Sequence, residues 1–247
     1  MQYHISYEKT AHLYDFFDQK GNIGFFCRCA SRFSEVLDIG SGTGRIAIPL
    51  AQRGTKVCCI EPSPAMRREF MKKLRGKDSV VENILLIGGD AGSFSLNRVF
   101  PAAFMSGVFD HLLDDAWRLR VLGNISRHLG PKGILVFDVS TVSSRNNPLT
   151  QAGTCRIVGK EYRRYVGSKM ITKNTKQITL VFEGYDSGRL VEHIEECGMV
   201  GVIDREKILD LLHRSGFIVL NEYGDYDFTR YQEGKELLLI EASKTTV

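Results

Sequence analysis

Carboxylates at the ends of apolar runs, beside a turn of alternating glycines, are the residues of this chain best placed to do chemistry. Val36-Leu37-Asp38-Ile39 leads into Gly40-Ser41-Gly42-Thr43-Gly44-Arg45. Glycines at this spacing let the backbone take positive φ and let a ligand lie against the main chain, and the helix that follows offers unpaired N–H groups and a partial positive charge. A second apolar run, Val57-Cys58-Cys59-Ile60, ends at Glu61-Pro62, and a third ends at Gly88-Gly89-Asp90-Ala91. A carboxylate after the second run can accept hydrogen bonds from both hydroxyls of a ribose; one after the third can face an exocyclic amine. A fourth run closes at Met105-Ser106 and is followed by His111, and an imidazole there suits proton transfer near neutral pH.

The elements that must hold these residues alternate between strand and helix. Strands are expected over 36–39, 56–60, 84–87, 102–105 and 134–139, and helices over 45–53, 63–74 and 114–129; such alternation predicts a parallel sheet. Two N-terminal helices are expected between Thr10 and Phe33, with Gly21 and Asn22 between them. From 143 to 201 the pattern changes to β-branched and aromatic stretches broken by Gly, Asn and Ser, which predicts an antiparallel insertion with strands over 156–165, 178–185 and 190–196. Asp204 caps a last helix ending at His213, and strands over 217–220 and 237–242 complete seven core strands. The chain thus divides into N-terminal helices (1–34), a core (35–142 and 202–247) and a β-rich cover (143–201).

The G-x-G-x-G spacing, with Arg45 where a dinucleotide site carries its third glycine, resembles the first motif of class I S-adenosylmethionine-dependent methyltransferases. The resemblance runs from Tyr14 to Ala242. It implies an α/β fold, a Rossmann-like doubly wound, mostly parallel seven-stranded sheet with the insertion after the fifth strand, and S-adenosylmethionine as cofactor. By the same resemblance Gly40, Ser41, Gly42 and Gly44 cradle the cofactor, Asp38 points to its methionine ammonium, and Glu61 with Pro62 meets the ribose. Asp90 and the Ala91 N–H meet the adenine, and Met105 and Ser106 border the sulfonium and the acceptor. Tyr14 resembles a tyrosine folded over the cofactor, although an aromatic in an amphipathic helix is equally a core residue. His111 is the candidate base, with packing against the cofactor as the alternative.

The Asn/Asp-Pro-Pro-Tyr/Phe motif of base amino-methyltransferases, the Pro-Cys nucleophile of cytosine-C5 enzymes and the double-glutamate loop of protein arginine methyltransferases are not found. Their absence lowers those readings, and the resemblance, which is to the small-molecule type, implies a small-molecule acceptor methylated by direct displacement. Tyr162, Tyr165, Phe182 and Tyr185 of the insertion either line its pocket or form the insertion's own small core. Tyr223, Asp225 and Asp227 are further residues that could approach it. A nicotinamide oxidoreductase, a non-catalytic cofactor-binding module and an RNA or protein methyltransferase are the competing readings.

Composition narrows the partners. The 33 basic and 29 acidic residues, net +4, are mixed along the chain, which argues against a nucleic-acid footprint. The six cysteines show no paired metal-ligand spacing, no metal is expected, and reduced thiols in a cytoplasmic protein are the simplest reading. No apolar stretch approaches bilayer length, and a homodimer stays open.

Overall fold

The computed structural model describes residues 7–17, 21–141 and 146–245; positions 143–145, expected to begin the insertion, lie outside them. In chain order the elements are α1 (Ala11–Phe17), α2 (Asn22–Ala30), β1 (Glu35–Ile39), α3 (Ala47–Gln52), β2 (Lys56–Glu61), α4 (Pro64–Leu74), α5 (Asp78–Val81), β3 (Ile84–Gly88) and β4 (Phe100–Met105). A single 3₁₀ turn (Phe109–His111) precedes α6 (Asp115–Arg127) and β5 (Leu129–Ser140). Then come β6 (Asn147–Ile157), β7 (Lys160–Thr172), β8 (Thr175–Asp186), β9 (Arg189–Gly201), α7 (Arg205–Arg214), β10 (Phe217–Tyr223) and β11 (Leu237–Lys244).

Seven strands form one sheet in the order β10-β11-β5-β4-β1-β2-β3. β11 runs antiparallel to both neighbours, and the pairs from β5 through β3 are parallel. The near-continuous apolar reading of β1 and β4 follows from burial on both faces, as expected of central parallel strands. One face packs Val121, Leu122 and Ile125 of α6 with Ile208, Leu211 and Leu212 of α7; the other packs Phe25 and Phe26 of α2, Leu50 of α3 and Phe70 of α4. Strand order reverses between β1 and β4, and ligands of open α/β sheets bind at the carboxyl ends of strands at such a switch point.

Helix starts follow the capping residues. Ser63 caps α4 with Pro64 in its first turn, and Asp114 and Asp204 accept the Trp117 and Lys207 N–H groups, each at 2.8 Å; each such cap contributes about 1 kcal/mol. Gly130-Pro131-Lys132-Gly133, which reads as a turn entering the fifth strand, lies within β5 instead. Lys132 takes a φ of +58° there, and the β4–β5 register shifts between Phe100 and Ala102. The strand absorbs the turn-forming residues as an irregularity at its edge of entry.

The insertion is a separate antiparallel meander, β6-β7-β8-β9. The single strand expected over 156–165 is instead the β6–β7 hairpin, turning at Val158 (φ +47°) and Gly159 (φ +82°). A β-branched residue at positive φ gives no turn signal in a sequence.

Candidate functional site

A cleft of about 340 Å³ opens at the carboxyl ends of β1, β2 and β3 and the loop after β4. Gly40 and Gly42 floor it, Glu61, Pro62, Asp90 and Ala91 line one wall, Ser106 and His111 another, and Tyr7 and Tyr14 close over it. A smaller cavity of about 50 Å³ continues from it between Asp38, Ser41, Thr43, Arg45 and Asn22, sharing Tyr14, Gly40, Gly42 and Ser106 with the cleft.

The glycine turn is built by tight contacts. Gly40 sits at φ +67°, where a Cβ would lie 2.3 Å from Val108 Cγ2; Gly44, at φ +79°, packs against the Phe70 ring, 2.5 Å from where a Cβ would be. Gly42, at φ +55°, has only the Gly40 carbonyl, 4.0 Å away, near its missing Cβ. Its open side faces the cavities. Gly44 thus lines neither, and its glycine is required by α4.

Glu61 is 6% exposed, and its two oxygens accept the Gly42 and Ser63 N–H groups, each at 2.8 Å. Burial pushes its acidity toward the neutral form, opposed by those two N–H donors and by Arg67. A carboxylate has about four acceptor positions, so both oxygens keep capacity toward the cleft. Asp90 accepts the Gly92 N–H at 2.8 Å, which shapes the turn presenting Ala91.

Asp38 is 2% exposed, and its Oδ2 has no hydrogen-bond partner. Burial first and the nearby Glu61 charge second push its pKa up to about 8. A buried acid left incomplete is costly and marks a place for a cationic or donor group.

Met105, expected beside the cofactor, is fully buried in the core under the sheet and lines neither cavity; the residues that reach the cleft follow it, from Ser106 on. Ser106 donates to Asp138 Oδ2 at 2.8 Å, and Asp138 also accepts the Gly107 N–H and the Tyr226 hydroxyl. Asp138, Tyr226 and Asn22 escape the sequence reading because their contacts join distant segments. His111 lines the cleft with its ring edge-on to Tyr7, centroids 6.3 Å apart, and Tyr7 stands 5.6 Å from Tyr14.

Tyr223, Asp225 and Asp227 do not reach the cleft. Tyr223 packs with Phe25 and Phe228, and the two aspartates accept the N–H groups of Tyr226 and Thr229 to shape their loop.

Among the described residues, those lining the cleft include none from the insertion. Tyr162 and Phe182 form a small core with Leu13 and Phe17 of α1. Tyr165 and Tyr185 lie on the opposite face of β7–β8 from Phe182, across from Val181 and Glu161 respectively, and the Tyr185 hydroxyl donates to Glu183. The insertion reaches the site through α1. Glu196 of β9 accepts the Thr10 hydroxyl and the Lys9 N–H, while Asp15 of α1 accepts from Lys73 and from the Thr43 hydroxyl at 2.6 Å each.

A methyltransferase-domain family model matches residues 36–133. An uncharacterized methyltransferase of Geobacillus kaustophilus is 33% identical over 102 residues, 41% of this chain and 45% of that protein. The chain spans about half the length of the curated relatives it matches. Among solved structures, an S-adenosylmethionine-dependent methyltransferase from Clostridium acetobutylicum superposes with a TM-score of 0.79 at 18% identity, over 97% of this chain and 99% of that one. The sugar N-methyltransferase KedS8 of Streptoalloteichus gives 0.77 at 20% identity, over 97% and 94%. The likeness in fold therefore includes the insertion.

Proposed function

We propose that the chain is a class I S-adenosylmethionine-dependent methyltransferase, a reading supported by the methyltransferase-domain match, the relatives and the shared fold, and that it methylates a small-molecule acceptor by direct displacement on the methyl carbon of S-adenosylmethionine. One observation carries the reading: Asp38, buried and with Oδ2 unpartnered, faces a cavity continuous with the glycine-floored cleft. That acid fits the ammonium of the cofactor's methionine end. Glu61, with both oxygens already fixed by backbone N–H groups, fits the ribose hydroxyls, and the Asp90–Ala91 turn fits the adenine.

The bound cofactor supplies an activated methyl on a sulfonium. What remains for the protein is orientation, which in well-aligned systems lowers barriers by about 7–11 kcal/mol. Tyr7 and Tyr14 line the cleft where they can pack over a bound ligand, and Val108 against Gly40 sets the height of its floor. His111 stands where it can take a proton from a hydroxyl acceptor, a contribution of about 10²- to 10⁴-fold; a neutral amine acceptor needs orientation alone.

Support for a small acceptor is the placement of Tyr7 and Tyr14 in the cleft's lining and the fold shared with a sugar N-methyltransferase. Among the described residues no helix is long and apolar enough to cross a membrane. The dinucleotide alternative has less support, since Arg45 stands where its third glycine is needed.

Calorimetry with S-adenosylhomocysteine and with a nicotinamide dinucleotide tests the cofactor, and incubation with methyl-labelled cofactor and fractionated metabolites tests the acceptor. Tight dinucleotide uptake without heat from the sulfur nucleoside overturns the first reading. Label confined to macromolecules overturns the second.

A further inference from the structure

The turn that presents Asp90 and Ala91 to the cleft rests on one face of α6. Trp117, Arg120, Asn124 and His128 recur at intervals of three and four, which puts them on one side of a helix. Trp117 lines the cleft. Further along, the Cδ of Arg120 lies 3.3 Å from where a Cβ on Gly92 would be, so the backbone of the turn lies close against the helix. Asn124 Nδ2 donates to the Ala91 carbonyl at 3.0 Å and to the Phe94 carbonyl at 3.1 Å. His128 Nε2 accepts the Leu96 N–H at 3.0 Å, and its ring lies against that of Phe94, centroids 4.4 Å apart.

Asn124 is suited to this place by its chemistry. Two carbonyls three residues apart converge on it, and an amide NH₂ offers two N–H donors on one nitrogen without a charge. Its Oδ1 accepts from Arg127 at 2.9 Å, so the orientation of the amide is set at both ends, and the residue is 2% exposed. One of its bonds falls on a peptide unit with a second task. The Ala91 carbonyl and the Gly92 N–H belong to the same planar group, and the Gly92 N–H donates to Asp90 Oδ1 at 2.8 Å. Asn124 thus holds one edge of the plane whose opposite edge holds the carboxylate.

We infer that Asn124 is a positioning residue: through the Ala91–Gly92 peptide it aims the Asp90 carboxylate, and so sets the preference of the cleft for a 6-amino purine over a 6-oxo one. The inference rests on the methyltransferase reading above and concerns a residue that lines neither cavity. An exocyclic amine donates to a carboxylate, whereas a carbonyl in its place only accepts. Hydrogen bonds weaken steeply as they bend, so the discrimination is as sharp as the direction of the carboxylate is fixed.

Calorimetry on the whole chain with S-adenosylhomocysteine and S-inosylhomocysteine, the 6-oxo counterpart, reads the preference directly. The wild type is expected to bind the first about 10- to 100-fold more tightly, the range for a hydrogen bond to a charged group. Asn124→Ala should narrow that ratio about threefold or more. In Asp90→Ala the ratio should already be lost, and adding Asn124→Ala to it should change it less than about twofold. A ratio unchanged by Asn124→Ala, whether or not both affinities fall, overturns the assignment while leaving the cofactor reading in place. A wild type that binds both ligands equally, or a further narrowing in the Asp90→Ala background, overturns it too. Should Asn124→Ala fail to fold, Asn124→Ser, which keeps a single donor, takes its place with the same outcomes. A wild-type chain that takes up neither ligand overturns the methyltransferase reading itself and this assignment with it.

Discussion

Glu61 accepts the N–H of Gly42 at 2.8 Å. Two segments 19 residues apart, the end of β2 and the glycine turn, are thereby one unit, and the carboxylate that faces the cleft also sets the shape of its floor. Because the bond is made to a backbone N–H, it constrains residue type at 61 alone; the glycine at 42 is required by its positive φ instead.

Glu61→Gln puts an amide donor against one of two N–H groups. We expect S-adenosylhomocysteine affinity to fall about tenfold or more, with a smaller loss of ligand-free thermal stability. Unchanged affinity by calorimetry would remove Glu61 from the ribose site.

Gly40 and Gly42 separate folding from binding. Gly40→Ala places a Cβ 2.3 Å from Val108 at a positive φ, and overpacking of this kind is expected to destabilise the fold by about 1–3 kcal/mol. Gly42→Ala meets open space toward the cavities, so only the left-handed backbone strain, about 1–2 kcal/mol, applies to the free protein, and cofactor affinity should suffer most. Denaturant titrations paired with binding isotherms check the contrast; the reverse ordering would refute it.

Asp38 predicts how stability varies with pH. Its folded pKa, about 8, lies above an ordinary carboxyl near 3.9, so the folded chain holds a proton that the unfolded chain has released between those values. Its contribution is fully present below the lower value and is lost as pH rises through the higher one. Relative to Asp38→Asn, the ligand-free wild type should lose at least about 3 °C of melting temperature between pH 6 and pH 9. Parallel melting curves would contradict this.

The same residue makes binding release a proton. At pH 6.5 an incoming ammonium finds Asp38 protonated, and pairing ionises it. Calorimetry in buffers of different ionisation enthalpy should report about one proton released on S-adenosylhomocysteine binding, and none in Asp38→Asn. Equal release in both proteins would take Asp38 out of the ammonium site.

His111→Ala should lower turnover more than about tenfold while cofactor affinity stays nearly unchanged, measured once an acceptor is in hand. An unaltered rate would leave His111 as packing against Tyr7.

The glycine turn, Glu61, Asp90 and the strand–helix alternation are legible in the sequence because each is dictated locally: positive φ demands glycine at Gly40, and a strand end presents whatever follows the last apolar residue. Gly44 is legible as a glycine but not in its purpose, since the ring it accommodates belongs to Phe70 on α4. The Asn22–Ser106–Asp138–Tyr226 network spans four segments and leaves no spacing to find. The fourth strand of the insertion is hidden by Val158, whose backbone takes a turn conformation that valine rarely adopts. The insertion's aromatics read alike in sequence, yet strand pairing sends Tyr162 and Phe182 toward α1 and Tyr165 and Tyr185 away from it.

Helix α1 is tethered at both ends, to β9 through Glu196 and to α4 through Asp15 and Lys73. It behaves as a crossbeam between two sheets that share no strand pairing. Glu196 on β9, remote from every reacting atom, is therefore among the residues that set where Tyr14 stands in the cleft wall.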